Sequence, residues 1–254
     1  MKTSPSYHSF TTYKDYEDLK RLDFIVNSVK EIGNNNISVI DIGCGNGNIS
    51  MALGSLGFSV TGVDIDKASI DKANSINKLP NVQFKVADAS TFTIDNNYDA
   101  VVCSEVLEHL DKPWELAEQI FKILKPGGVF VATVPNGHGP REIFITRPMQ
   151  WLHKHNLDKP IVSFKKFLGY DSATLQSSNE DLTHIQFYNV KTFTDVLNKV
   201  GFKNVKWENA DFIERIFPYS ILTKRIPLLQ KIDCDFADHI PKQLTCGFYT
   251  SWTK

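Results

Sequence analysis

The sequence predicts an α/β fold: a mostly parallel sheet with helices on both faces, plus a lid insertion. Three observations predict it. Short apolar runs alternate with segments of helical periodicity. The first run ends in an acid and then in three glycines at every second position, Val39-Ile40-Asp41-Ile42-Gly43-Cys44-Gly45-Asn46-Gly47. The next three runs also end in or beside acids, at Asp64, Asp88 and Glu105.

The elements follow in order. From about Tyr13 to Ile32, Leu19, Leu22, Ile25, Val26 and Val29 recur at helical spacing, and Gly33-Asn34-Asn35-Asn36 stops the helix. Ser38–Ile42 reads as a buried strand. The helix that follows, about Asn48–Leu56, ends at Gly57. Ser59–Val63 is the second strand, and a helix over Lys67–Ile76 follows it. Pro80-Asn81 turns the chain into an alternating third strand, Val82–Val86. Tyr98–Cys103 is continuously apolar, as a central strand is. Pro113 suits a first helical turn, and that helix runs to about Leu124. Lys125-Pro126-Gly127-Gly128 turns into the fifth strand, Val129–Val134. Periodicity then fails until a helix at Val190–Val200, set between Asn189 and Gly201. Asn204–Glu208 and Leu244–Trp252 complete a Rossmann-like sheet of seven strands. One domain, 1–254, thus carries two insertions, 136–184 and 211–243, expected to form a lid or acceptor-binding region.

Composition bounds the class. The chain has 254 residues, 42% apolar and 22% charged, enough to build a core. A net charge of −1 gives no global field for nucleic acid or membrane. Cys44, Cys103, Cys234 and Cys246 form no C-x-x-C pair, so reduced thiols and a cytoplasmic setting are expected. No apolar run is long enough to span a bilayer, and the N-terminal stretch has no signal-peptide core. Cys44 and Cys103 fall at the ends of two strands, where they could lie close together; the plainer and favoured reading is two small buried side chains.

Ligands of such sheets bind beyond the carboxyl ends of the strands. The glycine turn permits φ > 0, lets a ligand approach bare backbone, and opens a helix whose N–H groups are unpaired. Asp64 follows it by about 20 residues, the spacing at which a carboxylate accepts ribose hydroxyls. The glycine pattern is G-x-G-x-G and follows the acid Asp41, which repels pyrophosphate and suits an ammonium group. Nucleoside plus ammonium describes S-adenosylmethionine. The plainer reading of Asp64 and Asp88 is helix capping.

Over about residues 19–209 and the last strand, the chain resembles the class I S-adenosylmethionine-dependent methyltransferases. The resemblance rests on Val39–Gly47, Gly62-Val63-Asp64-Ile65-Asp66, Ala87-Asp88-Ala89, Tyr98–Glu105 and Leu124-Lys125-Pro126-Gly127-Gly128, in family order. It implies that Asp41, Gly43, Gly45 and Gly47 hold the methionine end of the cofactor. Asp64 would bind the ribose and Ile65 would lie on the adenine. Asp88 and the Ala89 N–H would meet the adenine edge, with Ser104 and Glu105 near the sulfonium.

Glu105-Val106-Leu107-Glu108-His109 forms a second constellation. In a helix, Glu105, Glu108 and His109 share one face and could hold a divalent metal; His109 could equally serve only a local hydrogen bond. The run resembles that of ubiquinone-biosynthesis O-methyltransferases and of small-RNA 2′-O-methyltransferases. The latter add a later histidine to a metal site, and His184 stands at a comparable place. Val134-Pro135-Asn136 is similar to the run after the fifth strand in those RNA enzymes. A hydroxyl acceptor needs a base or a metal, and His109, His184 and His138 are the candidate bases.

The insertions are locally basic. Residues 138–170 carry six Lys/Arg against Glu142 and Asp158, and residues 213–231 carry four against Glu214. Phe144, Trp151, Phe164, Phe167, Phe217 and Tyr219 are interspersed. A lid with a solvated rim accounts for this. A surface for an amphiphilic acceptor, with peripheral membrane contact, accounts for it as well. RNA ranks lower, because no RNA-binding module is appended. The expected function is methyl transfer to a small-molecule or lipid-like acceptor at oxygen. The alternatives are a metal-dependent RNA 2′-O-methyltransferase and a non-catalytic cofactor-binding interaction protein.

Overall fold

The computed structural model describes residues 5–33, 36–88, 97–155, 184–216 and 218–254. The strands are β1 (Ser38–Ile42), β2 (Ser59–Asp64), β3 (Val82–Val86), β4 (Tyr98–Ser104), β5 (Leu124–Pro135), β6 (Lys203–Asn209) and β7 (Gly247–Thr253). They form one sheet in the order β3-β2-β1-β4-β5-β7-β6. The first five are parallel, and β7 runs antiparallel to both β5 and β6. The order reverses beside β1 and β4, where Ile42 pairs with Cys103. The glycine turn is thereby set at the switch point.

The helices are α1 (Tyr16–Lys30), α2 (Asn48–Ser55), α3 (Lys67–Ile76), α4 (Pro113–Ile123), α5 (Arg147–Lys154), α6 (Val190–Val200), α7 (Tyr219–Thr223) and α8 (Pro227–Ala237). Strand alternation divides the apolar side chains between two cores. Val39, Val60, Ala100, Val102 and Val131 pack with Leu22 and Ile25 of α1, Ala52 of α2 and Ile70 of α3. Ile40, Ile42, Val101, Phe130 and Ala132 pack with Leu116 and Ile120 of α4 and Phe193 and Leu197 of α6. Cys44 belongs to the first core and Cys103 to the second, so the two are small buried side chains on opposite faces of the sheet, as the plainer reading has it.

Several boundaries differ from the sequence reading. The fifth strand begins at Leu124, not Val129, because Leu124 already pairs with Tyr98 before an irregularity in the β4 register. The last strand begins at Gly247, after a short 3₁₀ turn at Lys242–Leu244. The first insertion opens with a π-helical turn, Glu142–Thr146, that runs directly into α5. The second contains α7 and α8 and docks on α1. There the Tyr16 N–H donates to Gln230 Oε1 (2.9 Å), and Lys20 Nζ reaches Ala210 O and Cys234 O. The basic and aromatic residues 159–170 and Phe217 lie outside the described residues.

Candidate active site

The turn after β1 is built around one carbonyl. Val63 O accepts from both Gly43 N–H (2.8 Å) and Cys44 N–H (3.0 Å). Gly43 has φ +74°, and a Cβ there would lie 2.2 Å from Val106 Cγ2. Only glycine fits both the backbone and the space. Gly47, at φ +81°, caps α2 and leaves the first N–H groups of that helix directed at the strand ends. Gly45 donates its N–H to Asp64 Oδ2 at 2.8 Å, while Asp64 Oδ1 accepts from Asp66 N–H. Asp66, not Asp64, caps α3, by accepting from Ala68 and Ser69. Capping therefore does not explain Asp64. Ile65 stands beside it with its side chain 62% exposed.

Asp41 lies beneath solvent reach, 1% exposed, and Ser50 Oγ donates to its Oδ2 at 2.6 Å. Burial pushes its carboxyl up to about 7, against the pull of the Ser50 hydrogen bond. Asp88 sits just past the end of β3, and Ala89 lies outside the described residues. Ser104 Oγ shares a 2.8 Å hydrogen bond with Thr133 Oγ1.

The segment after β4 is not the helix that its spacing suggested. Glu105 has φ +57°, the only positive value at a non-glycine among the described residues. Leu107–His109 is a single 3₁₀ turn. The left-handed residue changes the direction of the chain, so Glu105 does not share a face with Glu108 and His109. Its Oε1 instead accepts from Thr133 Oγ1 (2.9 Å) and lies 4.0 Å from Arg21 Nη1. Glu105 is thus removed from the expected metal set.

Three of the four expected ligands do converge. Glu108, His109 and His184 each offer one ligand atom, all within 4.8 Å of one another. The Ile185 and Gln186 N–H groups both donate to Glu108 O, at 2.8 and 2.9 Å, and so carry His184 to the β4 turn. The His109 and His184 rings meet edge to face at 5.1 Å. Glu108 is fully buried, and neither of its carboxylate oxygens has a hydrogen-bond partner. Burial, and then the charge of Glu105, holds its carboxyl well above the usual range. Orphaned buried carboxylate oxygens beside two imidazoles fit a divalent cation, whose charge would return Glu108 to its ionised form. His138 lies elsewhere, with Nδ1 3.5 Å from Asn189 Nδ2.

A buried charged network flanks this group. Arg215 Nη2 meets Glu17 Oε2 at 2.5 Å and Asp18 Oδ1 at 3.1 Å, and Arg21 Nη2 donates to Asp18 at 2.7 Å. Tyr249 Oη donates to Glu17 Oε1 at 2.6 Å. Burial alone would raise Glu17, but Arg215 and Arg21 bring it down to about 2. Glu17, Arg21, Glu105, Arg141, Asp211 and Arg215 line a cavity of about 20 Å³, room for roughly one water.

Comparison with known proteins decides the family. A model of the methyltransferase domain matches residues 15–206. The chain belongs to the methyltransferase-domain family. The ubiquinone biosynthesis O-methyltransferase of Pseudomonas fluorescens (strain Pf-5) is 30% identical to this methyltransferase-domain chain over 150 residues, 57% of the chain and 64% of that protein. The enzyme of the same name from Rickettsia akari is 30% identical over 121 residues, 46% and 48% of the two chains. The chain thus spans about half the length of the curated relatives it matches. An S-adenosylmethionine-dependent methyltransferase from Mesorhizobium loti superposes with a TM-score of 0.60 at 16% identity, covering 94% of this chain and 98% of that one. One from Archaeoglobus fulgidus gives 0.60 at 18% identity over 94% of each chain. These two likenesses carry the fold alone.

In this methyltransferase-domain chain the sequence reading missed Glu17, Arg21, Glu142, Asp211 and Arg215. For α1 a signal was present. Glu17 and Arg21 fall at i and i+4 on the same side of the helix as the buried Ile25, where a solvated charge is not expected. For Glu142 there was none, because nothing in residues 136–155 marks an inward face.

Proposed function

We propose that the chain transfers the methyl group of S-adenosylmethionine to an oxygen of a small-molecule or lipid-like acceptor, with a divalent cation held by Glu108, His109 and His184. The convergence of those three side chains within 4.8 Å, next to the glycine turn and strand ends, carries the reading. The O-methyltransferase name of the relatives supports oxygen as the receiving atom.

The residues divide the work. The Gly43–Gly47 backbone and Asp64 hold the donor, and Ile65 covers the adenine. Asp64 would exchange its Gly45 hydrogen bond for a ribose hydroxyl, so binding of the donor loosens no buried charge. The sulfonium is already activated, and the chain must align the acceptor oxygen, methyl carbon and sulfur in line. A cation at Glu108, His109 and His184 would supply Lewis acidity that lowers the pKa of an acceptor hydroxyl. His109 and His184 then hold that cation, and neither serves as a free base. The described parts of the insertions, 136–155, 211–216 and 218–243, would serve as a lid on the acceptor side. Their exposed Phe144 and Trp151, with Arg147 and Lys154, suit an amphiphilic acceptor or a membrane face.

The test is release of S-adenosylhomocysteine from a phenol that carries an alkyl chain, with and without EDTA. Loss of turnover in EDTA, restored by Mg²⁺ or Mn²⁺, is expected. Full turnover by metal-stripped protein would remove the cation from the reading. Tight cofactor binding with no product from any phenol would favour a non-catalytic, cofactor-binding protein.

A further inference from the structure

We propose that Glu142 is the positioning residue for His184: its carboxylate takes the Nδ1–H of the imidazole and presents Nε2 to the cation. The inference rests on the metal reading above and ties the first insertion to it. Glu142 begins the π-helical turn before α5 and is 1% exposed. Its Oε1 lies 3.3 Å from His184 Nδ1 and also accepts from Thr146 Oγ1 at 3.1 Å. Glu142 Oε2 and His184 Nδ1 have no hydrogen bond of standard geometry, so both keep unspent capacity inside the protein. A buried carboxylate facing an imidazole nitrogen is the arrangement that fixes the tautomer of a metal-bound histidine and raises its basicity.

The surroundings hold both partners in place. Gln150 Nε2 reaches the His184 carbonyl at 3.4 Å, from about two turns along the same insertion. Arg147 Nη2 donates to Gly137 O at 2.7 Å, and its guanidinium lies 4.8 Å from the Phe187 ring centroid. Residues 142–150 are thus joined to 184–187 by a carboxylate, an amide and a guanidinium. A cation seated on His184 pulls on the same contact that orders the start of α5. Glu142 replaces nothing in the donor set, since the three converging ligands do not include it. It supplies the second carboxylate that Glu105 was expected to bring, one shell further out.

The experiment is a Mn²⁺ titration of the metal-free protein, read by electron paramagnetic resonance, for wild type, Glu142→Gln and Glu142→Leu. Long-range ¹H–¹⁵N spectra of the imidazoles accompany it. Wild type is expected to bind Mn²⁺ and to show His184 protonated on Nδ1. Glu142→Leu is expected to weaken Mn²⁺ about 10–100-fold and to shift the His184 tautomer. Glu142→Gln keeps the volume and loses the charge, and is expected to give a smaller loss of the same sign. Should Glu142→Leu fail to fold, Glu142→Gln decides. Wild-type affinity in a folded variant, or His184 protonated on Nε2 in wild type, would overturn the role of Glu142 and leave the metal reading standing. No Mn²⁺ binding by wild type would remove both.

Discussion

The two ends of the sheet's carboxyl edge handle polar groups in opposite ways. At β1 and β2, the Gly43 N–H is met by Val63 O, the Gly45 and Asp66 N–H groups by the Asp64 carboxylate, and the Asp66 carboxylate by Ala68 and Ser69 N–H, all within about one strand–helix–strand unit. Around β4, β5 and β7, the polar groups are buried charges from distant segments. Arg215 meets Asp18 across 197 residues of sequence, and Tyr249 meets Glu17 across 232. The first region is rigid because its parts are local. The second is held by ion pairs that only the complete fold assembles, and a buried pair is costly to break from one side.

That contrast can be broken most severely at Arg215. Arg215→Met would leave the buried Glu17 and Asp18 to share Arg21 alone, and is expected to cost about 3–5 kcal/mol of folding stability. Urea denaturation measures it. A loss under 1 kcal/mol would mean that the network is already relaxed by water.

At the other end, Gly43→Ala meets both a left-handed φ and Val106 at 2.2 Å. It is expected to weaken S-adenosylmethionine by about 2–4 kcal/mol, read by calorimetric titration. Unchanged affinity would show that Val106 gives way and that the turn is not the donor site.

The pH response separates the regions next. Burial, and then the charge of Asp211, raises Glu214 to about 8, with Arg215 opposing. The folded chain therefore keeps a proton there that the unfolded chain has lost above about pH 4.5. Stability from this group is fully present below that pH and is lost as pH rises through 8. Glu214→Gln should flatten the fall between pH 5 and 8 and be roughly 1–3 kcal/mol more stable than wild type at pH 8.5. A parallel curve would place the titration elsewhere.

The smallest effect sharpens the comparison. Ile65→Ala removes an exposed side chain, so the melting temperature should hold. Donor affinity should fall by roughly 1 kcal/mol as adenine loses its apolar cover. An equal loss of stability would mean that Ile65 packs on protein.

Legibility in the sequence followed the same division. The strand ends at Asp41, Asp64 and Asp88 could be read because each side chain is placed by its own strand. Glu105 was misplaced because a 3.6-residue spacing was assumed where the chain has φ +57°. The Glu108–His109 pair survived that error because the two are adjacent and share one turn. His138 was a fair candidate by composition, but the chain turns it to Asn189.

By itself the sequence determined the alternation of strands and helices, the glycine turn and the acids at the strand ends. These depend on periodicity and on backbone dihedrals, which are local. Only the tertiary structure decided that Glu105 stands apart from Glu108 and His109, that His184, named from the sequence by family resemblance alone, reaches them, and that Glu142 lies beside His184. Those outcomes hang on two backbone hydrogen bonds to Glu108 O and on a carboxylate 42 residues from its histidine. Contacts between segments so far apart are set by packing, and no spacing along the chain encodes them.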